Sequence, residues 1–249
     1  MPQMPQIGFS TGALAYGDFR RGVALQTRLG IDAIELSALR ESELDELVNA
    51  LGGLDLSQFA YRSFHAPSEL HCLSGGQLAA KLAPVAAAGF PIVVHPDVIR
   101  GDFAPWRQLG DKVLLENMDT RKSVCRTAKE MIVFFDELPK ARLCFDIGHA
   151  HQVDSTMTVA FEFIHLFRSR LAQVHISEVN WECQHRRIGT ASALSFHAAA
   201  RWIPNNVPVI IESVVSEGEI DQELQTVRRC FDTATSYFSG RRRHAVPAG

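Results

Sequence analysis

Eight short hydrophobic runs recur along the chain, and almost every run ends in a charged or polar residue. The runs are rich in Val, Ile, Leu and Phe, with few polar positions inside them. Runs of this kind are typical of strands that are buried on both faces of a sheet. The predicted strands cover residues 7–14, 32–37, 61–67, 91–96, 112–119, 142–149, 171–179 and 207–213.

The segments between the runs have apolar residues at i, i+3, i+4 and i+7, which predicts amphipathic helices. The clearest examples are residues 41–51, 75–89, 123–138 and 221–238. Eight strands alternating with helices over 249 residues predict an α/β fold, a single (β/α)₈ TIM barrel. A doubly wound open sheet is the alternative, in which the first and eighth strands would not pair. The helix after the fourth strand, in "GDFAPWRQLG", is expected to be short or missing because it contains Pro105.

Domain boundaries and location follow from composition. We expect one barrel domain over residues 1–240 and a solvated tail over 241–249, which contains three arginines. No run approaches the roughly 20 apolar residues that span a bilayer, and "MPQMPQIGFS" lacks the features of a signal peptide. We therefore expect a cytoplasmic protein without membrane contact. The five cysteines contain no CxxC pair and are expected to be reduced.

The charge balance bears on the partner. A formal net charge of -3 and a pI near 6.4 give no overall basic surface for nucleic acid. We therefore expect a small-molecule substrate and no nucleic acid, while a homo-oligomer remains open.

The residues that close the predicted strands carry the candidate chemistry. The C-terminal ends of the strands hold the active site in such barrels. A single His or Glu there is more often a capping or hydrogen-bonded residue than a ligand, but seven strands each supply one. These residues would converge on one cavity, where they would repel or stay unpaired without a cation. They are Glu35, His65, His95, Glu116, Asp146, His175 and Glu212.

The mixture of imidazoles and carboxylates predicts a divalent ion such as zinc, manganese, cobalt or iron, with one to three ions per chain. From their order in the chain, the predicted first site consists of Glu116, Asp146, His175 and Glu212. His65 and His95 lie on neighbouring strands and either hold a second ion, with Glu116 as the bridge, or bind substrate hydroxyls.

Six short motifs occur in order on the predicted strands: "SFHAP", "VVHP", "LLENMD", "CFDIGHAH", "VHISE" and "IIES". This series resembles the xylose isomerase-like superfamily of barrels, which includes sugar isomerases and epimerases, inosose dehydratase and endonuclease IV. The resemblance to the epimerase branch implies that Glu116, Asp146, His175 and Glu212 hold one ion. It also implies that Glu116 and Glu212 are catalytic and exchange a proton of a sugar, polyol or sugar phosphate through a metal-stabilised enediolate.

The resemblance to endonuclease IV implies a trinuclear zinc site instead. One ion would bind to His65, His95 and Glu116, and a second to the four residues of the epimerase site. The third ion would use His149 of the D-x-x-H motif with the Asp and His of a D-x-H-x-x-x-G motif. In this chain that motif reads "CQHRRIG" and has Cys183 in place of the aspartate, followed by His185. Cysteine is a good zinc ligand, so Cys183 is either a ligand of the third ion or an unliganded loop residue.

Four further residues have open roles. Arg186 and Arg187 follow in the same loop and either hold a substrate hydroxyl or phosphate or form an exposed pair. Glu35 is a candidate for substrate binding or for the third metal. His151 is expected to be a hydrogen-bonding turn residue.

Three hypotheses follow. We prefer a metal-dependent isomerase or epimerase. A multinuclear zinc phosphoesterase related to endonuclease IV is the alternative, although the missing aspartate, the negative charge and the short loops oppose a role on DNA. A non-catalytic scaffold is least favoured because it would not need seven strand-end ligands.

Overall fold

The computed structural model describes residues 4–99 and 101–232. Eight parallel strands close into a barrel in the order β1, β10, β7, β6, β5, β4, β3, β2. The barrel strands are β1 Ile7–Ser10, β2 Ala33–Ser37, β3 Tyr61–His65, β4 Ile92–Val94, β5 Val113–Glu116, β6 Arg142–Asp146, β7 Leu171–Ile176 and β10 Val209–Ile211. The first and eighth strands pair, with Phe9 beside Ile211. This closure confirms the TIM barrel and excludes the open sheet.

Ten helices connect and surround the strands within the described residues. They are α1 Thr11–Ala15, α2 Phe19–Leu29, α3 Glu41–Ala50, α4 Gly75–Ala87, α5 Ala104–Leu109, α6 Ala128–Glu137, α7 Ile147–Val153, α8 Thr158–Leu166, α9 Thr190–Ala200 and α10 Ile220–Phe231. None of these helices is long and apolar enough to cross a membrane. The short helix expected around Pro105 is α5, in which the proline occupies the first turn.

Several predicted elements have different bounds in the structure. The predicted strand over residues 142–149 ends at Asp146, whose side chain caps α7 from the next residue, and the strand predicted over residues 112–119 ends at Glu116. The first strand was expected to reach residue 14, but it ends at Ser10 and α1 begins at the next residue. The helix expected from residue 123 begins at Ala128, because Thr127 and Glu130 form a capping box that fixes its first turn. The predicted tail, residues 241–249, lies outside the described residues.

Side-chain alternation along the strands separates two apolar layers. Alternate residues such as Leu115 and Phe145 pack in the large core beneath the helices. Val93, Leu114 and Cys144 form a small separate cluster, which we place inside the barrel. Because strand side chains alternate with a period of two, the residue two positions further along points to the same interior.

The side-chain period of two explains why the residues at the strand ends converge. His95, Glu116 and Asp146 each lie two residues after a member of the interior cluster. They therefore project into the barrel above the apolar floor. A small antiparallel hairpin after β7, formed by β8 Glu178–Val179 and β9 His185–Arg186, brings His185 back towards the same end.

Candidate metal centre

Glu116 is the fully buried carboxylate at the middle of the site. Its Oε2 lies 3.2 Å from the Nε2 atoms of both His65 and His95. Its Oε1 lies 3.1 Å from Nδ1 of His175 and 3.5 Å from Nδ1 of His149. The two oxygens of one carboxylate therefore face different sets of imidazoles, which is the arrangement that a ligand bridging two ions requires.

Four predicted ligands form the largest group. Ligand atoms of Glu116, Asp146, His175 and Glu212 all lie within 4.8 Å of one another. Glu116, Asp146 and His175 are fully buried, whereas 12% of the Glu212 side chain is exposed. Glu212 is thus the member of this group that is most open to a substrate. A second group of the same kind consists of His65, Glu116 and His175.

A third group consists of Asp146, His149 and His185. The rings of His149 and His185 meet edge to face with centroids 5.2 Å apart. Cys183 is not in this group. Its sulfur accepts a hydrogen bond from Nε2 of Gln152 at 3.3 Å and lies 3.5 Å from the Thr120 hydroxyl.

Hydrogen bonds from outside the clusters orient two of the histidines. Nδ1 of His65 lies 2.7 Å from the carbonyl of Ala66, and Nδ1 of His149 lies 2.9 Å from the carbonyl of Asn117. A carbonyl oxygen only accepts hydrogen bonds, so both Nδ1 atoms carry the proton. Each neutral ring then presents Nε2 as its ligand atom, and such an outer partner typically tunes a metal-bound histidine.

Asn117 and Asp146 also position the beginning of α7. The Asn117 amide donates to the carbonyl of Asp146 at 2.8 Å and accepts from its backbone N–H at 2.7 Å. Oδ1 of Asp146 then caps α7 by accepting from the N–H of His149 at 2.7 Å. These bonds engage Oδ1 and leave Oδ2 for a ligand.

The buried carboxylates respond to their neighbours in opposite ways. Burial raises the pKa of Glu116, but His175 and the other imidazoles outweigh it and hold that pKa well below its ordinary value. Burial also raises the pKa of Glu212, and the charge of Glu116 adds to this, so the pKa reaches about 7 despite the opposing effect of His175.

The pKa values of two imidazoles, those of His65 and His185, also shift in opposite directions. Burial lowers the pKa of His65, but its hydrogen bond to Glu116 and the charge of Glu35 raise it to about 9 overall. Burial and the neighbouring His149 lower the pKa of His185 to about 3. Neutral imidazole is the ligand form, so His185 is available to a cation near neutral pH, whereas His65 must first lose a proton.

The donor set fits a divalent cation. Among the described residues, several buried polar atoms at this end of the barrel have no hydrogen-bond partner, and burying such atoms is costly unless a ligand compensates. These atoms are Asp146 Oδ2, His149 Nε2, His95 Nδ1 and Glu35 Oε1. Asp146 and His149 both belong to the third group, where a cation would satisfy them.

The remaining predicted residues belong to none of the three groups. Arg186 extends to Gln184 at 2.8 Å, and Arg187 bonds to Gln222 and Glu219 at 3.1 Å and 3.4 Å, so both guanidinium groups have exposed partners. His151 was expected in a turn but lies within α7, where its ring packs edge to face on Phe196, outside all three groups.

Sequence reasoning missed several residues of the site. Asp119 is buried, and its carboxylate lies 3.9 Å from Nε2 of His149 while it pairs with Arg121. Asn117 and Asp119 both stand in the quoted motif "LLENMD", so a signal for them was present. Gln173 and Tyr61 lie deeper on β7 and β3, and a Gln or Tyr within a strand gave no such signal.

The chain belongs to the xylose isomerase-like TIM barrel family, whose model matches residues 103–230. Its fold resembles endonuclease IV from Thermus thermophilus, with 20% identity over 91% of this chain and 98% of that chain and a TM-score of 0.61. It also resembles 3-keto-D-glucoside 4-epimerase from E. coli, with 17% identity over 92% and 99% of the two chains and a TM-score of 0.64.

A third similar structure is a xylose isomerase-like TIM barrel protein from Mycobacterium smegmatis in complex with magnesium. It is 14% identical over 92% of this chain and 97% of that chain, with a TM-score of 0.55. No curated protein matches the chain in sequence. At these identities the structural likeness shows the fold, and that fold includes both a sugar epimerase and an endonuclease.

Proposed function

We propose that the protein is a divalent-metal-dependent isomerase or epimerase of a small sugar, a polyol or one of their phosphates. The observation that carries the proposal is the group of four ligands, which places two carboxylates, Glu116 and Glu212, around one candidate ion position. Their strands, β5 and β10, are separated by β6 and β7 in the barrel, so the two carboxylates enter the group from its two outer strands.

The residues of this chain would divide the chemistry as follows. Glu212 is the partly exposed carboxylate and would accept the proton from the substrate carbon. Glu116 faces imidazoles with both oxygens and stays ionised, so it would hold the geometry of the site. The proton that Glu212 accepts would return from Glu212 to a carbon of the substrate. A bound divalent ion would supply positive charge that stabilises the oxygens of the enediolate. Asp146 and His175 would hold that ion.

The test is proton exchange. Incubation of the protein and Mn²⁺ in D₂O with aldoses, ketoses and their phosphates should introduce deuterium at a carbon beside the carbonyl, detected by NMR. We expect Glu212→Gln to abolish exchange while it keeps the fold. Glu217→Gln is the matched control, because Glu217 is an exposed partner of Arg21. Full exchange activity in Glu212→Gln would contradict its role as the base.

A second candidate is a multinuclear phosphoesterase, and the two faces of Glu116 favour it. His65 and His95 share one oxygen while His175 takes the other, so Glu116 would be a shared ligand if two ions were bound, and Asp146 belongs to the third group. Two neighbouring ions can hold the attacking and leaving oxygens of a phosphate ester. Similarity to endonuclease IV supports this candidate, and a nucleic-acid substrate stays within it.

Metal content and a hydrolysis assay distinguish the two. One ion per chain with deuterium exchange supports the isomerase or epimerase. Two or three ions per chain, with hydrolysis of bis(p-nitrophenyl) phosphate and no exchange, would replace it with the phosphoesterase.

A further inference from the structure

Glu35 is a fully buried carboxylate on β2 that lies behind His175. Its Oε2 is within hydrogen-bond distance of three groups: Nε2 of Gln173 at 2.7 Å, Nε2 of His175 at 3.0 Å and the Ser63 hydroxyl at 3.2 Å. Glu35 belongs to none of the three groups of candidate metal ligands. A buried carboxylate requires compensation, and here the contacts come from inside the barrel.

The orientation of Gln173 follows from its contacts. The Tyr61 hydroxyl lies 2.6 Å from Oε1 of Gln173, and Nε2 of Gln173 faces Glu35. The reverse orientation of the amide would place its carbonyl oxygen against a carboxylate oxygen, and two acceptors repel. Tyr61 therefore donates to Gln173, and Gln173 donates to Glu35.

The contact with Glu35 also fixes the proton of His175. An ionised carboxylate only accepts hydrogen bonds, so Nε2 of His175 must donate to Oε2 of Glu35. Nε2 of His175 lies 2.7 Å from Nε2 of Gln173, as expected for two donors that converge on the same oxygen. The opposite ring nitrogen, Nδ1, is then the one that a neutral imidazole offers as a lone pair.

Nδ1 faces the candidate metal centre. It lies 3.1 Å from Oε1 of Glu116 and 3.4 Å from Oε2 of Glu212. His65 and His149 have the reverse arrangement, because each donates from Nδ1 to a backbone carbonyl. His175 differs from both because its Nε2 atom, and not its Nδ1 atom, contacts an acceptor on the interior side of the barrel, the carboxylate of Glu35.

We propose that Glu35 is a positioning residue, which holds the proton of His175 on Nε2 and so presents Nδ1 as the metal ligand, with Gln173 and Tyr61 fixing Glu35 from below. This inference rests on the metal centre of the proposed function, but it does not depend on which reaction that centre performs. It places Glu35 outside the ligand set and assigns it to the support of one ligand.

The first test is metal affinity. Titration calorimetry of the chelator-treated protein with Mn²⁺ and with Zn²⁺ measures binding without any substrate. Loss of the outer partner of a metal-bound histidine typically weakens metal binding by about 10- to 100-fold. We expect that loss in Glu35→Gln, because a neutral amide oxygen accepts the Nε2–H of His175 more weakly than a carboxylate does. Glu217→Gln is the matched control, since it is the same substitution at an exposed carboxylate that pairs with Arg21; its affinity should stay near that of the wild type.

The second test reads the proton directly and needs no variant. Long-range ¹⁵N–¹H correlation spectra of the zinc-loaded wild type should show the His175 ring protonated at Nε2. Protonation at Nδ1 would overturn the inference, even if Glu35→Gln failed to fold. Wild-type metal affinity in a folded Glu35→Gln would overturn it as well, as would an equal loss in Glu217→Gln. Absence of metal binding by the wild type would instead refute the metal centre itself, and this inference with it.

Discussion

Gly148 stands between two candidate ligands, Asp146 and His149, in the second position of α7. A Cβ atom added there would lie 2.3 Å from the carbonyl oxygen of Ser177, which follows β7. That neighbour is backbone, so it cannot rotate away. Gly148→Ala must therefore move the beginning of α7 away from β7.

The size of the movement follows from the contact. An ordinary contact begins near 3.4 Å, so opening it from 2.3 Å needs 1.1 Å. Metal–ligand distances tolerate only about 0.2 Å, so a shift of that size should prevent Asp146 and His149 from holding an ion. The effect on the free energy of unfolding is modest. Overpacking destabilises by about 1–3 kcal/mol, and the higher helix propensity of alanine offsets up to about 1 kcal/mol of this.

Melting temperature and metal content should thus respond differently. A loss of 1 kcal/mol lowers the melting temperature of a chain of this size by about 2–4 °C, whereas metal content should fall by at least one ion per chain. The control is Gly53→Ala, because nothing lies within 4 Å of a Cβ at that position. A Gly148→Ala protein with wild-type metal content would refute the argument that this close approach sets the ligand geometry.

Three other predictions test separate parts of the structure. Glu41 accepts hydrogen bonds from the N–H groups of residues 71–73, chiefly those of Cys72 and Leu73, which hold its pKa below the ordinary value of 4.5. Its stabilising effect is present above pH 4.5 and is lost as the pH falls through the lower folded pKa, so the deficit in melting temperature of Glu41→Gln at pH 7 should shrink in acid. Phe163→Ala removes a fully buried ring and should cost about 3–5 kcal/mol in urea unfolding; a loss below about 1 kcal/mol would contradict its place in the core. Cys183→Ser should leave metal content unchanged, whereas His185→Ala should lower it; the reverse result would make Cys183 the ligand.

The fold was predictable because continuous apolar runs indicate buried strands and apolar residues at helical spacing indicate the helices between them. All eight predicted strand segments contain a barrel strand. Eight such units favoured closure over the open sheet, and the pairing of β1 with β10 confirms it. Boundaries were less predictable where local hydrogen bonds decide the first turn, as at Thr127, whose capping box with Glu130 sets the beginning of α6.

For the candidate site, the ligand residues were predictable, whereas most of the residues that orient them were not. The sequence marked the residues at the strand ends, because chain order and a period of two place them at one end of a barrel. It did not mark the partners that orient them. Asn117 holds the beginning of α7, and Gln173 bonds to Glu35 across the barrel from a position 138 residues away.

The sequence by itself determined the barrel, the end of it that carries the chemistry and the residue types gathered there. The tertiary structure alone decided which atoms of those residues meet. His175 faces Glu116 with its Nδ1 atom, whereas His65 faces Glu116 with its Nε2 atom. Cys183 contacts Gln152 and belongs to none of the groups of candidate ligands. The physical reason is that local periodicity fixes the side of a strand from which a side chain emerges, whereas the rotamer, the tautomer and the hydrogen-bond partner depend on groups that only folding brings together.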